Sequence, residues 1–177
     1  GYRIELTDLI VTADTPEAIA AGTSYENAGS GRSQGIDVML AARAGRASGM
    51  ATYSYLVTTR TNPLNEQFAT TYAPGQDQRH TLGTSLEYQL TPRWRGTVRY
   101  SFHTGRPVSS IEPTADQLYL LTGLNDQRLG NFHNIDVRAE WRKALDNYRL
   151  SFYAEVLNVA NFQSDFVPTA SFDEDGE

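Results

Sequence analysis

Five residues along the chain have side chains that could act together on a ligand: Arg79, Arg99, His103, Asp136 and Glu155. Guanidinium and imidazole groups offer charge-assisted hydrogen bonds to an anion, and a histidine beside an aspartate can polarise water as a general base. Arg99 and His103 would therefore contact an anionic ligand, or His103 and Asp136 would form a hydrolytic pair. A plainer use is lateral pairing of arginine with carboxylate on neighbouring strands, which also extends to Glu87, Arg95, Arg138, Glu140, Arg142 and Arg149.

Other chemistries lack their residues. His80, His103 and His133 fall on three separate segments without the paired spacing of a metal site, and the chain has no cysteine. No Gly-x-Ser-x-Gly elbow or phosphate-binding Walker loop is present, so no cofactor is expected. The glycines of "NAGSGRSQG" do not open a helix and suit bulges or close approach in a strand. A net charge of −6 argues against a nucleic-acid partner, which needs a basic face. Lys143 is the only lysine among 15 basic residues. An arginine excess fits bidentate pairing inside a structure, although genomic base composition produces the same bias.

The elements that must position these residues are strands. In "WRGTVRYSFHTG", Trp94, Gly96, Val98, Tyr100 and Phe102 share one beat, and Arg95, Thr97, Arg99, Ser101 and His103 share the other. "TLGTSLEYQL", "NIDVRAEWRK" and "YRLSFYAEVL" alternate in the same way. Seven strands are expected, at 1–12, 22–43, 49–60, 77–90, 94–105, 131–143 and 148–159. Short turns ("AGRAS", "TPR", "ALDN") alternate with long polar loops at 13–21, 61–76, 106–130 and from 160 onward. A structureless loop as long as 106–130 is out of place in a compact soluble domain, whereas a transmembrane barrel has tight turns at one rim and long loops at the other. Tyr88, Trp94, Trp141 and Tyr148 lie beside the short turns on the apolar beat, as an interfacial girdle requires, with Tyr100 and Phe102 near the other end. The class is thus all-β: an antiparallel up-and-down meander, about seven strands of a larger transmembrane β-barrel. The alternatives are a soluble β-sandwich binding module, whose apolar beat would be core, and an outer-membrane barrel hydrolase using His103 and Asp136.

The stretch "YENAGSGRSQGIDV", followed later by "YAEVLNVANF", resembles the C-terminal half of the barrel of TonB-dependent outer-membrane receptors. Tyr25, Asn27 and Gly29 match that family's approach into a strand carrying Gly35, Ile36 and Asp37, and Glu155, Asn158, Val159 and Asn161 match its late acidic-x-x-Asn-hydrophobic-x-Asn signature. "DQRHTLGTSLEYQL" and "HTGRPV" resemble a strand after a long loop and a Gly-x-Pro loop opening. The resemblance implies a barrel of about 22 strands with a plugged lumen, in the outer membrane of a Gram-negative bacterium. It implies no enzyme activity. Its partners would be outer-membrane lipid, a plug domain, the TonB system and a small-molecule ligand such as a ferric siderophore or other ferric chelate. Residues 1–177 are then expected to be a C-terminal portion of the barrel without plug or final strand, ending in "SFDEDGE" within an external loop. Arg79, Arg99, His103, Asp136 and Glu155 would face the lumen near the outer rim. Asp77 to Arg79 and Asp116 to Arg128 would be polar loop tips that gate the ligand.

Overall fold

The computed structural model describes residues 1–13, 15–65, 67–68, 70–114 and 119–164. Seven long strands form one antiparallel sheet: β1 (Tyr2–Thr12), β2 (Tyr25–Ala44), β3 (Ala47–Thr61), β5 (His80–Gln89), β6 (Trp94–His103), β9 (Phe132–Ala144) and β10 (Arg149–Val156). Their order in space is β1-β2-β3-β5-β6-β9-β10, so each long strand lies beside its predecessor, and the sheet stays open between β1 and β10. A two-residue strand, β4 (Thr71–Tyr72), pairs with β3, and β7 (Pro107–Pro113) with β8 (Tyr119–Arg128) makes a separate hairpin. One short helix, α1 (Pro16–Ala21), begins with the Thr15 hydroxyl accepting the Ala18 N–H at 3.2 Å.

All seven expected strands are present, with ends displaced by a few residues. The tight connections β2–β3, β5–β6 and β9–β10 lie at one edge of the sheet and the long ones at the other. Gly45 reaches φ +56° in the first of these turns, a conformation that a Cβ resists. The long connections differ from the expectation of plain polar loops. The 13–21 segment contains α1, the 61–76 segment contains β4, and 106–130 is largely the β7–β8 hairpin. Alternation in "PVSSIEP" and "YLLTGLNDQR" is broken by register shifts between Val108 and Ser110 and between Ser110 and Ile111, which hid this hairpin from a period-two reading. The "SFDEDGE" segment lies outside the described residues.

Register assigns each beat to a face. One face carries Leu40, Ala51, Thr84, Tyr100 and Ile135 in one row and Gly49, Leu86, Val98, Val137 and Val156 in the next. Among the described residues no second layer covers it. Leu40 is 67% exposed, Leu86 56%, Val98 45% and Phe152 64%, while Ala13 and Ala18 are the only buried hydrophobic residues among those described. Fully burying a Val, Leu or Phe side chain is worth about 1.5–3 kcal/mol, so a face of this kind needs an apolar medium that the chain does not itself provide. The sandwich alternative is therefore ruled out by the single layer: Val98 and its row-mates have no facing sheet. No helix among the described residues is long and apolar enough to cross a membrane.

Candidate functional site

The opposite face is polar, and the register turns its charges into a ladder. Glu87 accepts from Arg95 at 2.8 Å and from the Ser48 hydroxyl at 3.3 Å. One step along, Glu140 accepts from Arg142 at 2.7 Å and from the Ser151 hydroxyl, which joins β9 to β10. Arg138 lies 3.8 Å from the centre of the Tyr153 ring. The sequence suggested lateral pairing of arginine with carboxylate across neighbouring strands; Glu87 and Arg95 do this, whereas Glu140 and Arg142 pair along β9 itself. The Arg95 and Glu87 side chains are about one-third exposed, so such a pair contributes about 0–1 kcal/mol and acts mainly on register.

Three of the five candidate ligand residues meet on this face. Arg99 on β6 pairs with Glu155 on β10 and lies 3.8 Å from Asp136 on the intervening β9. Asp136 also accepts the Asn134 side-chain amide at 2.9 Å and the Asn158 backbone N–H at 3.0 Å. The Arg99 side chain is 42% exposed, so this triad is both a three-strand tie and an accessible surface on the polar face.

The other two candidates go elsewhere. His103 stacks on Phe132, with ring centres 4.6 Å apart, and bonds to the Gln78 side chain at 2.9 Å. Its register partner is Phe132, whereas that of Asp136 is Arg99, so His103 and Asp136 stand four positions apart, about 13 Å along the ladder. The hydrolytic pair is not formed. Arg79, inside the strand expected at 77–90, lies just before β5, which begins only at His80, and approaches Asp77 at 3.6 Å.

Asp77 overturns the reading of 77–79 as an exposed gating tip, because its side chain is 0% exposed. One carboxylate oxygen accepts the Thr58 backbone N–H at 2.8 Å, and the other pairs with Arg128. Arg128 also donates to the carbonyls of Asp77 at 2.8 Å and Gly105 at 3.1 Å. Together these contacts clasp the base of the β7–β8 hairpin to the rim of the sheet. Asp77 and Arg128 are 51 positions apart, and no local pattern announces the pairing. Asp116, read as part of the same gating surface, lies outside the described residues. Above the clasp is a cavity of about 690 Å³ between Gln76 and Gln78 on one side and Arg106, Val108, Ser109 and Asn125 on the other.

His80 and His133 lie at the long-loop edge of the apolar face, each bonded to a tyrosine of a neighbouring strand: Tyr53 to His80 at 2.8 Å and Tyr100 to His133 at 2.9 Å. No group of three His, Asp or Glu side chains among the described residues is arranged to hold a metal ion. At the short-turn edge Trp94 pairs with Trp141, and Trp141 lies against Phe152 with ring centres 6.0 Å apart. Aromatic rows thus border the apolar face at both edges, as at two membrane interfaces.

The family's motif residues have local structural work. Asn158 and Asn161 take φ +48° and +52°, a left-handed conformation that asparagine tolerates better than most residues. Asn158 exchanges two bonds of 3.0 Å with the Phe162 backbone, closing the turn after β10. A side chain at Gly35 would meet the Tyr2 ring at 2.9–3.0 Å, and one at Gly29 would meet the Leu9 carbonyl at 3.0 Å. Asn27 pairs with Ile10, Asp37 with Ser54 on the polar face, and Tyr25 is 64% exposed at the start of β2.

The TonB-dependent receptor-like β-barrel model matches residues 1–159. The chain belongs to this family. Comparison with curated proteins and with solved structures gives no match. The TonB-dependent receptor family consists of outer-membrane transport receptors, which accounts for an apolar face left uncovered by the described residues. Within this receptor barrel, Arg99, Asp136 and Glu155 are wall residues, and the Asp77–Arg128 clasp belongs to the rim.

Proposed function

We propose that this chain is part of the wall of an importer in the outer membrane of a Gram-negative bacterium, taking up a scarce nutrient such as a ferric siderophore with energy from the TonB system. The observation that carries this reading is the uncovered apolar face: Val98, Leu86 and Phe152 stand 45–64% exposed on a sheet whose opposite face carries the Glu87–Arg95, Glu140–Arg142 and Arg99–Glu155 pairs. Hydrocarbon suits the first side and a filled, hydrated lumen the second. Backbone groups at the free edges of β1 and β10 would each cost several kcal/mol unpaired in hydrocarbon, so these strands belong to a larger closed barrel. A plug domain would fill that barrel's lumen, with the half-open Arg99–Asp136–Glu155 triad facing it or the ligand. The tight turns face the periplasm and the β7–β8 hairpin faces the exterior, where receptor loops meet their ligands.

The test is energised uptake. A strain carrying the complete receptor should accumulate a radiolabelled ferric siderophore under iron limitation, and should stop on deletion of the receptor or collapse of the proton-motive force. Unchanged uptake after deletion, across a panel of ferric chelates, removes the iron assignment. A receptor that folds only in the periplasm as a soluble species removes the importer.

A further inference from the structure

We propose that the cavity at the long-loop edge binds a small oxyanion-bearing molecule, a carboxylate or a phosphate, with Arg106 as its charge partner, taking the receptor reading as given. At about 690 Å³ the cavity falls within the usual range for small-molecule sites. Its wall is asymmetric in charge: among the described residues Arg106 lines it and no Asp or Glu does. Arg106 makes no ion pair among the described residues.

The carboxylates close by are already committed. Asp77 is sealed under Arg128 and the Thr58 N–H. Asp126 is turned to Ser110, whose backbone N–H and hydroxyl it accepts at 3.0 and 2.8–2.9 Å. Among the described residues Arg106 is thus left without a compensating carboxylate at the cavity.

The Gln78 side chain is bonded to His103 at 2.9 Å, and the other polar side chains of the wall are amides and a hydroxyl that can turn a donor inward. The Asn125 side-chain oxygen accepts the Ser109 hydroxyl at 3.4 Å, leaving its amide N–H groups free, and the Gln76 amide has no partner among the described residues. Asn125 is held at φ +50°, with its backbone N–H donating to Ser109 Oγ at 3.1 Å, so its position in the wall is fixed. Pro107, Val108 and Ile111 supply an apolar side. A guanidinium flanked by free amides recognises an acceptor-rich anion: two parallel N–H···O bonds reach the oxyanion, and the amides reach its other oxygens. A metal cation alone would meet only repulsion from Arg106. Arg106 also lines a second cavity of about 240 Å³ beside His103 and Phe132, so a ligand held there stands at the opening to the polar face of the barrel.

The test is isothermal titration of the complete, detergent-solubilised receptor with citrate, glucose 6-phosphate and the neutral sugar maltose. At least one oxyanion should bind saturably, with maltose at least tenfold weaker. Arg106→Gln should weaken the oxyanion at least tenfold without moving the thermal unfolding transition, and Arg106→Lys should fall between. Arg93→Gln, at a tight turn on the opposite edge, should change nothing. Preference for citrate assigns a carboxylate, and preference for glucose 6-phosphate a phosphate. Maltose binding equal to that of the oxyanions, unchanged oxyanion affinity in Arg106→Gln, or no saturable oxyanion binding to a receptor with an intact unfolding transition overturns the site. Energised uptake measured in parallel separates the two ideas: uptake without oxyanion binding sinks only the site, and loss of energised uptake sinks the receptor reading beneath it.

Discussion

The wall of the barrel and its long-loop edge use the same residues under opposite constraints. On the wall, arginine and carboxylate meet between adjacent strands and stay partly exposed, as Arg99, Asp136 and Glu155 do. At the edge, Asp77 is sealed from solvent and fastens segments that are far apart in the chain. The wall's position is already fixed by the backbone ladder, and its ion pairs add little to that. Among the described residues no ladder joins the hairpin to the long strands, since β8 approaches only β4 outside its own hairpin, so the buried Asp77 carboxylate and the Arg128 bonds to the Asp77 and Gly105 carbonyls carry much of the connection. Charge is therefore a refinement on the wall and a fastener at the rim.

The largest effect should come from reversing the wall's polarity. Val98→Arg, on the apolar face, should cost about 2–4 kcal/mol near mid-bilayer, whereas Thr97→Arg on the polar side should cost far less. Urea unfolding of the complete receptor in lipid vesicles measures both, and equal costs would remove the sidedness of the wall. Next comes the rim. Asp77→Ala leaves the Thr58 N–H without its acceptor and Arg128 without its carboxylate partner, though with its two carbonyls, and should cost about 1–3 kcal/mol locally. The expected sign is faster proteolysis within 107–128 with the barrel transition unchanged. A shift of the whole barrel instead would show that the clasp holds the wall as well.

Smaller effects follow on the half-exposed wall triad. Glu155→Gln should change stability by no more than about 1 kcal/mol in the same unfolding assay, because Arg99 is 42% exposed and keeps Asp136 at hand. A loss as large as that of Asp77→Ala would erase the contrast between the two regions. The smallest effect is a pH dependence in the hairpin. Hydrogen bonds from Ser110, first its hydroxyl and then its backbone N–H, hold the Asp126 carboxyl below its ordinary value. A depressed carboxyl contributes its stabilisation above the ordinary aspartate pKa, about 3.9, and loses it as pH falls through the lower folded value. The protection factor of the Ser110 amide, its exchange rate relative to an unstructured amide at the same pH, should therefore hold at neutral pH and fall only in acid, below about pH 4. A fall in the protection factor near pH 6 would contradict the assignment.

Much of the wall was legible one segment at a time. Alternation in 94–105 and 131–143 separated Val98 and Val137 from Arg99 and Arg138 before any pairing was known, because successive side chains on a strand point to opposite sides. The aromatics beside the tight turns were legible for the same reason. The rim was not. The β7–β8 hairpin breaks its own alternation at Ser110, and Asp77 looks like any polar loop residue until Arg128 arrives from another connection. His103 and Asp136 show the converse: adjacent strands suggested a pair, and register set them four positions apart.

The sequence by itself determined the strands, their two-sided polarity and the alternation of tight and long connections, all consequences of local backbone geometry and turn chemistry. Only the tertiary structure decided that the apolar side has no covering layer, that Arg99 reaches Glu155 across β9, and that Asp77 is buried. Those outcomes depend on register and on contacts between residues 50 or more positions apart, such as Asp77 with Arg128 and Arg99 with Glu155. Such contacts form only when the whole sheet is assembled, and no local periodicity encodes them.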